Sequence, residues 1–222
     1  MYCAIIGDII NSKTIVDRYS AQVKIINVLT EVNKKNDNFI ASAFTLTLGD
    51  EFQGLLLSPV KAFEIIEFIQ RKINPIRIRF GIGAGDITTP IDRSISIGAD
   101  GPAFYYAREM INEMKEKIKL IKTEQTEILF SSKSYEDLLI NATANLYRDI
   151  ERKWSNEQRE KIYYHIETEE NQRSIASSFN VSQSSINRAF KNSNFYNYMF
   201  ALNQINEFLN KKYGEVNADA NK

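Results

Sequence analysis

The stretch FTLTLGDEFQGLL, residues 44–56, constrains the fold more than any other. Two apolar runs flank Gly49-Asp50, and a Gly-Asp connection that short joins strands only as an antiparallel hairpin. Upstream, YCAIIGDII at residues 2–10 is apolar on both faces, which places it as a central strand. Between the two, Val23, Ile26, Leu29 and Val32 recur at helical spacing behind Asp17, a candidate N-cap. Pro59 pre-sets a helix start, Val60, Phe63, Ile66 and Ile69 supply its apolar stripe, and Pro75 lies beyond its end. IRIRFGIGAGDI, residues 76–87, reads as a fourth strand that turns glycine-rich. Strand, helix, hairpin, helix, strand is the ferredoxin-like order, so the expected class is α+β.

In such a sheet the first strand neighbours the hairpin, so Asp8 and Asp50 emerge at one edge. Converging carboxylates repel unless a cation or a hydrogen-bond network neutralises them. Mg²⁺ or Mn²⁺ with oxygen ligands, leaving room for phosphate, is the expected metal. The competing reading is structural, because Asp in a tight turn caps its own backbone and Gly tolerates positive φ. GIGAGD at 81–86 lacks the ending of a phosphate loop. Its glycines are read as letting a ligand or a neighbouring backbone approach.

After a polar loop, GADGPAFYYAREMINEMKEK is expected to be helical from about Pro102, with Arg108 inside it. Gly98 and Gly101 ahead of that helix start could expose backbone amides to an anion, or simply form a loop. TEILFSS offers a further strand, and Ser134 with Asp137 a capping box for the next helix. The expected domains are a ferredoxin-like, cyclase- or palm-like domain over 1–133, a helical helix-turn-helix module over 134–214, and a disordered tail over 215–222.

Composition narrows the chemistry. Hydrophobic residues at 43% and charged residues at 25% are those of an ordinary soluble globule. No run is apolar enough for a membrane span, and no signal sequence is seen, so a cytoplasmic protein is expected. A lone Cys3 in an apolar run allows no internal disulfide, and a lone His165 allows neither a histidine metal cluster nor a triad built with a second histidine. What remains is carboxylates, backbone amides, Lys and Arg.

Taken in order, AIIGDIINS, LTLGDEFQGLL, IRFGIGAGDI and GPAFYYARE resemble class III nucleotide cyclases and their GGDEF-domain relatives. That resemblance implies a palm-like fold in which Asp8 and Asp50 hold metal on a triphosphate. It further implies that Gly49 lies at the phosphates and that Arg108 serves as their partner. GDIINSK, GDEFQGLL and GADGPAF look still more like the SatD family, a bacterial group with a C-terminal helix-turn-helix, over nearly the whole chain. Departures from the cyclase pattern favour binding over turnover. Leu46 stands near the place of the base-selecting Lys, Phe104 where the ribose-placing Asn belongs, and Leu48 for the first glycine.

NQRSIASSFNVSQSSINRAF, residues 171–190, resembles the helix-turn-helix of bacterial regulators. Ile175 and Ala176 belong to the first helix, Asn180 to the turn, and Ser182 caps a second helix with Ile186 and Phe190 turned inward. Gln183, Ser184, Asn187 and Arg188 then face outward with groups that can read base edges, while Arg173 and Lys191 meet phosphates. A helical bundle used for dimerisation is the competing reading, since this part of the chain is nearly neutral. The aromatic-rich FYNYMFALNQINEFL reads as core or as the seam of a homodimer.

The expected function is a ligand-responsive DNA-binding regulator with a metal- or nucleotide-binding palm-like sensor. Its alternative is a nucleotidyl cyclase or nucleotidyltransferase that uses Asp8 and Asp50 with two metals.

Overall fold

The structure, a computed structural model, describes residues 1–121 and 126–214, the side chains of Leu48 and of residues 117–121 excepted. The tail expected over 215–222 lies outside the described residues, as does the side chain of Leu48. The chain is mixed α+β. Its elements run β1 (Tyr2–Ile9), α1 (Arg18–Lys35), β2 (Ile40–Leu48), β3 (Glu51–Leu56), α2 (Ala62–Ile73), β4 (Ile78–Gly85), α3 (Pro102–Ile121) and β5 (Ile128–Ser131). Helices α4 (Asp137–Arg152), α5 (Asn156–Thr168), α6 (Gln172–Ser178), α7 (Gln183–Asn192) and α8 (Phe195–Tyr213) follow. Among the described residues no helix is long and apolar enough to cross a membrane.

The five strands form one sheet in the order β2-β3-β1-β4-β5, antiparallel except for the β4–β5 pair. β1 is central and buried from Cys3 to Ile9, as its two-sided apolar sequence requires. Alternation then sorts the faces. Ala4, Ile6, Leu55 and Leu129 share a core with Ala103, Phe104, Ala107, Met110, Ile111 and Met114 of α3. Phe130, one residue on, meets Phe63 of α2 on the opposite face.

One local expectation needs correction. The buried stripe of α1 is Ala21, Ile25, Val28, Leu29 and Val32, with Val23 and Ile26 exposed. The apolar run there is wider than one helical face, and the side packed on the sheet lies next to the one the spacing picked. At the start of α4 the carboxylate arm of the expected Ser134–Asp137 box is present, with Ser134 N–H donating to Asp137 Oδ2 at 3.2 Å. The same carboxylate also accepts from the Ser132 backbone N–H and the Ser132 hydroxyl.

The seating of α3 explains the glycines of β4. Gly81, Gly83 and Gly85 alternate, so all three lie on the α3 side. A Cβ on Gly83 would stand 2.1 Å from the Ala103 carbonyl oxygen, and one on Gly81 2.2 Å from that of Ala107. The approaching group is therefore helix backbone. The segment between β4 and α3 is tied to itself: Asp100 N–H donates to Thr89 Oγ1 at 2.8 Å and Ala103 N–H to Asp86 O at 3.2 Å.

The chain divides into two compact units, residues 1–142 with 205–222, and residues 143–204. The sequence division at residue 134 falls N-terminal of the first boundary, which lies inside α4, and the second lies inside α8. The second unit has its own core of Tyr147, Trp154, Ile162, Ile175, Ile186, Phe190 and Tyr198. Trp154 Nε1–H donates to Ser193 O at 2.7 Å, and the Trp154 and Tyr198 rings meet edge to face.

Because α3 has no slack over β4, Gly83→Ala is expected to destabilise the chain by about 1–3 kcal/mol through overpacking alone. Urea denaturation reads it as a lower midpoint.

Candidate functional site

Two places collect the residues that the sequence singles out, one in each unit. The first is the end of the sheet where β1 finishes. Pairing places Asp8 opposite Glu51 of β3 on one side and Arg79 of β4 on the other. Asp50 precedes Glu51 in the Gly49-Asp50 turn, and its carbonyl accepts from Ile9 N–H at 2.9 Å. Asp8 and Asp50 thus lie at the same sheet end, on neighbouring strands.

Asp8 is 8% exposed and both its carboxylate oxygens are engaged. Oδ2 accepts from Arg79 Nη1 at 3.0 Å, and Oδ1 from Lys115 Nζ at 2.8 Å. Glu51 takes a two-pronged pair from Arg108 Nη1 and Nη2, at 2.5 and 2.6 Å. Asp50 Oδ2 accepts from the Ser12 hydroxyl at 2.8 Å. The hydrogen bond to Glu51, with the charges of Glu51 and Asp8, raises the Arg108 pKa above its usual value against the opposing pull of desolvation.

Arg108 is therefore the counter-charge of Glu51. The Gly49 carbonyl accepts from Gln22 Nε2 at 2.8 Å. Near Gly98 and Gly101, the amides of Asp100 and Ala103 are already bonded within the chain. Phe104 sits in the α3 core.

The donor set tests the metal. A divalent ion at Asp8 has to displace both Arg79 and Lys115. Among the described residues no group of three or more His, Cys, Asp or Glu is placed to hold a metal. The excess is of donors: Arg79 Nε is buried without a hydrogen-bond partner among the described residues. As arranged, these residues do not fit Mg²⁺ or Mn²⁺.

Glu51, Arg79, Ser12 and Lys115 were missed by the sequence reading. Three of them take their meaning only from the packing. Glu51 and Arg79 pair with Asp8 once the register is known, and Lys115 lies two helical turns beyond Arg108. Cys3 is buried and burial pushes its thiol far up, so it is no nucleophile.

The second place is α6–α7. Asn171 caps α6 and Ser182 caps α7, each through its side-chain oxygen. Asn180 adopts φ +51° in the turn, and Val181 N–H returns to Ala176 O at 2.9 Å. Ile175, Ala176, Ile186 and Phe190 are buried. Arg173, Gln183, Ser184, Arg188 and Lys191 are exposed, and Asn187 half-buried.

Beside α7 lies a polar cavity of about 360 Å³, lined in part by Glu157, Lys161 and Arg188. The Lys161 ammonium is almost wholly buried and pairs with Glu157, a far more exposed side chain. That hydrogen bond holds the Glu157 carboxyl below its ordinary range.

The ion pairs at the sheet end generate a stability prediction. Asp8→Asn leaves Arg79 and Lys115 without their anion. It is expected to cost about 1–3 kcal/mol, because the pairs are only partly buried. Equilibrium urea denaturation measures it. A gain in stability would mean that Asp8 is instead held against another carboxylate.

A crystal structure titled as a regulator of polyketide synthase expression, from Bifidobacterium adolescentis, aligns over 93% of this chain and 85% of its own. The identity is 12% and the TM-score 0.26. No curated protein matches the chain. The SatD family matches residues 2–209, nearly the whole sequence, and the chain belongs to that family.

Proposed function

We propose that this chain is a ligand-responsive DNA-binding regulator in which α6 and α7 act as a helix-turn-helix and the sheet unit, read as palm-like, senses a phosphate-bearing ligand. One observation carries the DNA reading: α7 buries Ile186 and Phe190 and leaves Gln183, Ser184, Arg188 and Lys191 exposed. A helix capped at its start, apolar on one face and bearing amide and hydroxyl groups on the other suits a major groove. A nearly neutral module binds weakly as one copy, which favours a homodimer on an inverted repeat.

The sensor reading is supported by cations that already hold carboxylates. Arg108 and Lys115 are each about two-fifths exposed, enough to exchange Glu51 or Asp8 for a phosphate or nucleotide oxygen. A groove of about 530 Å³ along α3 carries Glu109, Glu113 and Glu116 beside Arg108, so the cluster itself is the place that attracts an anion.

The second reading is a nucleotidyl cyclase or nucleotidyltransferase with Mg²⁺ or Mn²⁺ on Asp8 and Asp50. It requires Asp8 to give up both of its basic partners. It also lacks a polar group at Phe104, which is buried.

Selection from a random duplex pool, with the full chain, tests the first reading. An inverted repeat is expected to be enriched, and Asn187→Ala is expected to lose about 1–3 kcal/mol of discrimination at one base position. No enrichment with or without nucleotide would make the second unit a protein-contact element. Incubation with ATP or GTP and Mn²⁺ is expected to give no sustained cyclic product. Product lost on Asp8→Ala would establish the enzyme instead.

A further inference from the structure

The cavity beside α7 has a composition that the reading of α7 as a base-reading helix leaves unused. It is bounded by α5 on one side and α7 on the other, within one unit. Lys161 and Gln158 come from α5, and Ser185, Arg188 and Asn192 from α7. The α7 residues are spaced i, i+3 and i+7, so they form one stripe, on the flank away from Gln183 and Asn187. Arg188 stands where the exposed face meets this flank.

Two cations face the cavity and only one acid, Glu157, opposes them. Burying the Lys161 ammonium is costly unless anionic oxygen is at hand. Its partner, the Glu157 carboxylate, lies open to solvent and is exchangeable for another anion. Arg188 has no hydrogen bond or ion pair among the described residues, although its planar guanidinium suits phosphate oxygens. Ser185, Gln158 and Asn192 add hydroxyl and amide groups, and about 360 Å³ exceeds what one phosphate group occupies.

We infer that this cavity is a phosphate-binding notch in which Lys161 and Arg188 clamp one phosphate group while Glu157 swings away. The phosphate is either one of the duplex backbone, beside the groove entered by α7, or that of a small molecule. The first source rests on the DNA reading above, and the second does not. Arg188 is thereby a positioning contact, without a base of its own.

The test compares the full-length chain with Lys161→Met, Arg188→Gln and Glu157→Gln, each checked for folding by thermal denaturation. Affinity for the selected duplex and for a random duplex is measured across a salt series. Lys161→Met and Arg188→Gln are each expected to weaken both duplexes alike and to flatten the slope of log affinity against log salt by about one unit. Glu157→Gln is expected to tighten both, a change that loss of a purely structural ion pair would not produce.

If the chain binds no duplex, the DNA reading fails and inorganic phosphate becomes the probe. Amide shifts at Lys161, Ser185 and Arg188 in full-length NMR spectra are then expected to saturate in the wild type and to vanish in the Lys161→Met, Arg188→Gln double variant. Selective loss of the cognate duplex in Arg188→Gln would make it a base reader and overturn the clamp. Unchanged salt slopes, or absent phosphate shifts in a chain that binds no duplex, would overturn the notch.

Discussion

The backbone of α3 lies directly against β4, and most of what the sheet unit presents depends on that contact. It exists because every second residue of β4 from Gly81 to Gly85 has no side chain. A Cβ on any of the three would meet helix atoms of α3 at 2.9 Å or less. With the gap closed, Ala103, Ala107 and Ile111 fix the rotation of the helix as well as its height. Arg108 and Lys115, which alternate with those apolar positions, are then carried to the end of β1. Loosening the seat would not merely soften a core; it would withdraw the positive charges from Asp8 and Glu51.

What those charges do follows from burial. Asp8 is nearly closed to solvent, and an unpaired carboxylate there would be costly. Arg79 from the neighbouring strand and Lys115 from the helix remove the problem within the chain. Glu51 and Arg108 repeat the solution one strand away. Such pairs contribute little net stability when compared with apolar residues of similar size. Their consequence is chemical: acids that attract metal in a bare site are spoken for within the chain.

Much of this arrangement was legible in the sequence, for identifiable reasons. The alternation of FTLTL around Gly49-Asp50 fixes the hairpin, and two-sided apolarity fixes β1 as central. Ser182, Asn180 and Ile186 mark α7 through its cap, its turn and its buried face. Residues whose meaning depends on another strand or helix were not legible. Glu51 reads as a hairpin residue until the register sets it opposite Asp8, and Arg79 reads as one member of an alternating strand. Lys115 is one lysine among several in a charged helix. The stripe of α1 was misplaced because apolar residues cover more than one face, and periodicity alone does not choose among them. The glycines of β4 admitted a ligand or a backbone, and only packing decides between them.

Both units place basic side chains against acidic ones, and the proposed function has a phosphate take the place of the acid. In the sheet unit the acids are well buried, and in the helical unit Glu157 is open to water. Self-neutralisation of the Asp8 cluster is the claim on which the account of the sheet unit stands. Its most direct test is titration of the full-length chain with Mn²⁺, free ion being followed by electron paramagnetic resonance. The account predicts no stoichiometric Mn²⁺ site in the wild type and the appearance of one when Arg79→Gln and Lys115→Met are combined. Stoichiometric Mn²⁺ binding by the wild type, lost on Asp8→Asn, would contradict it.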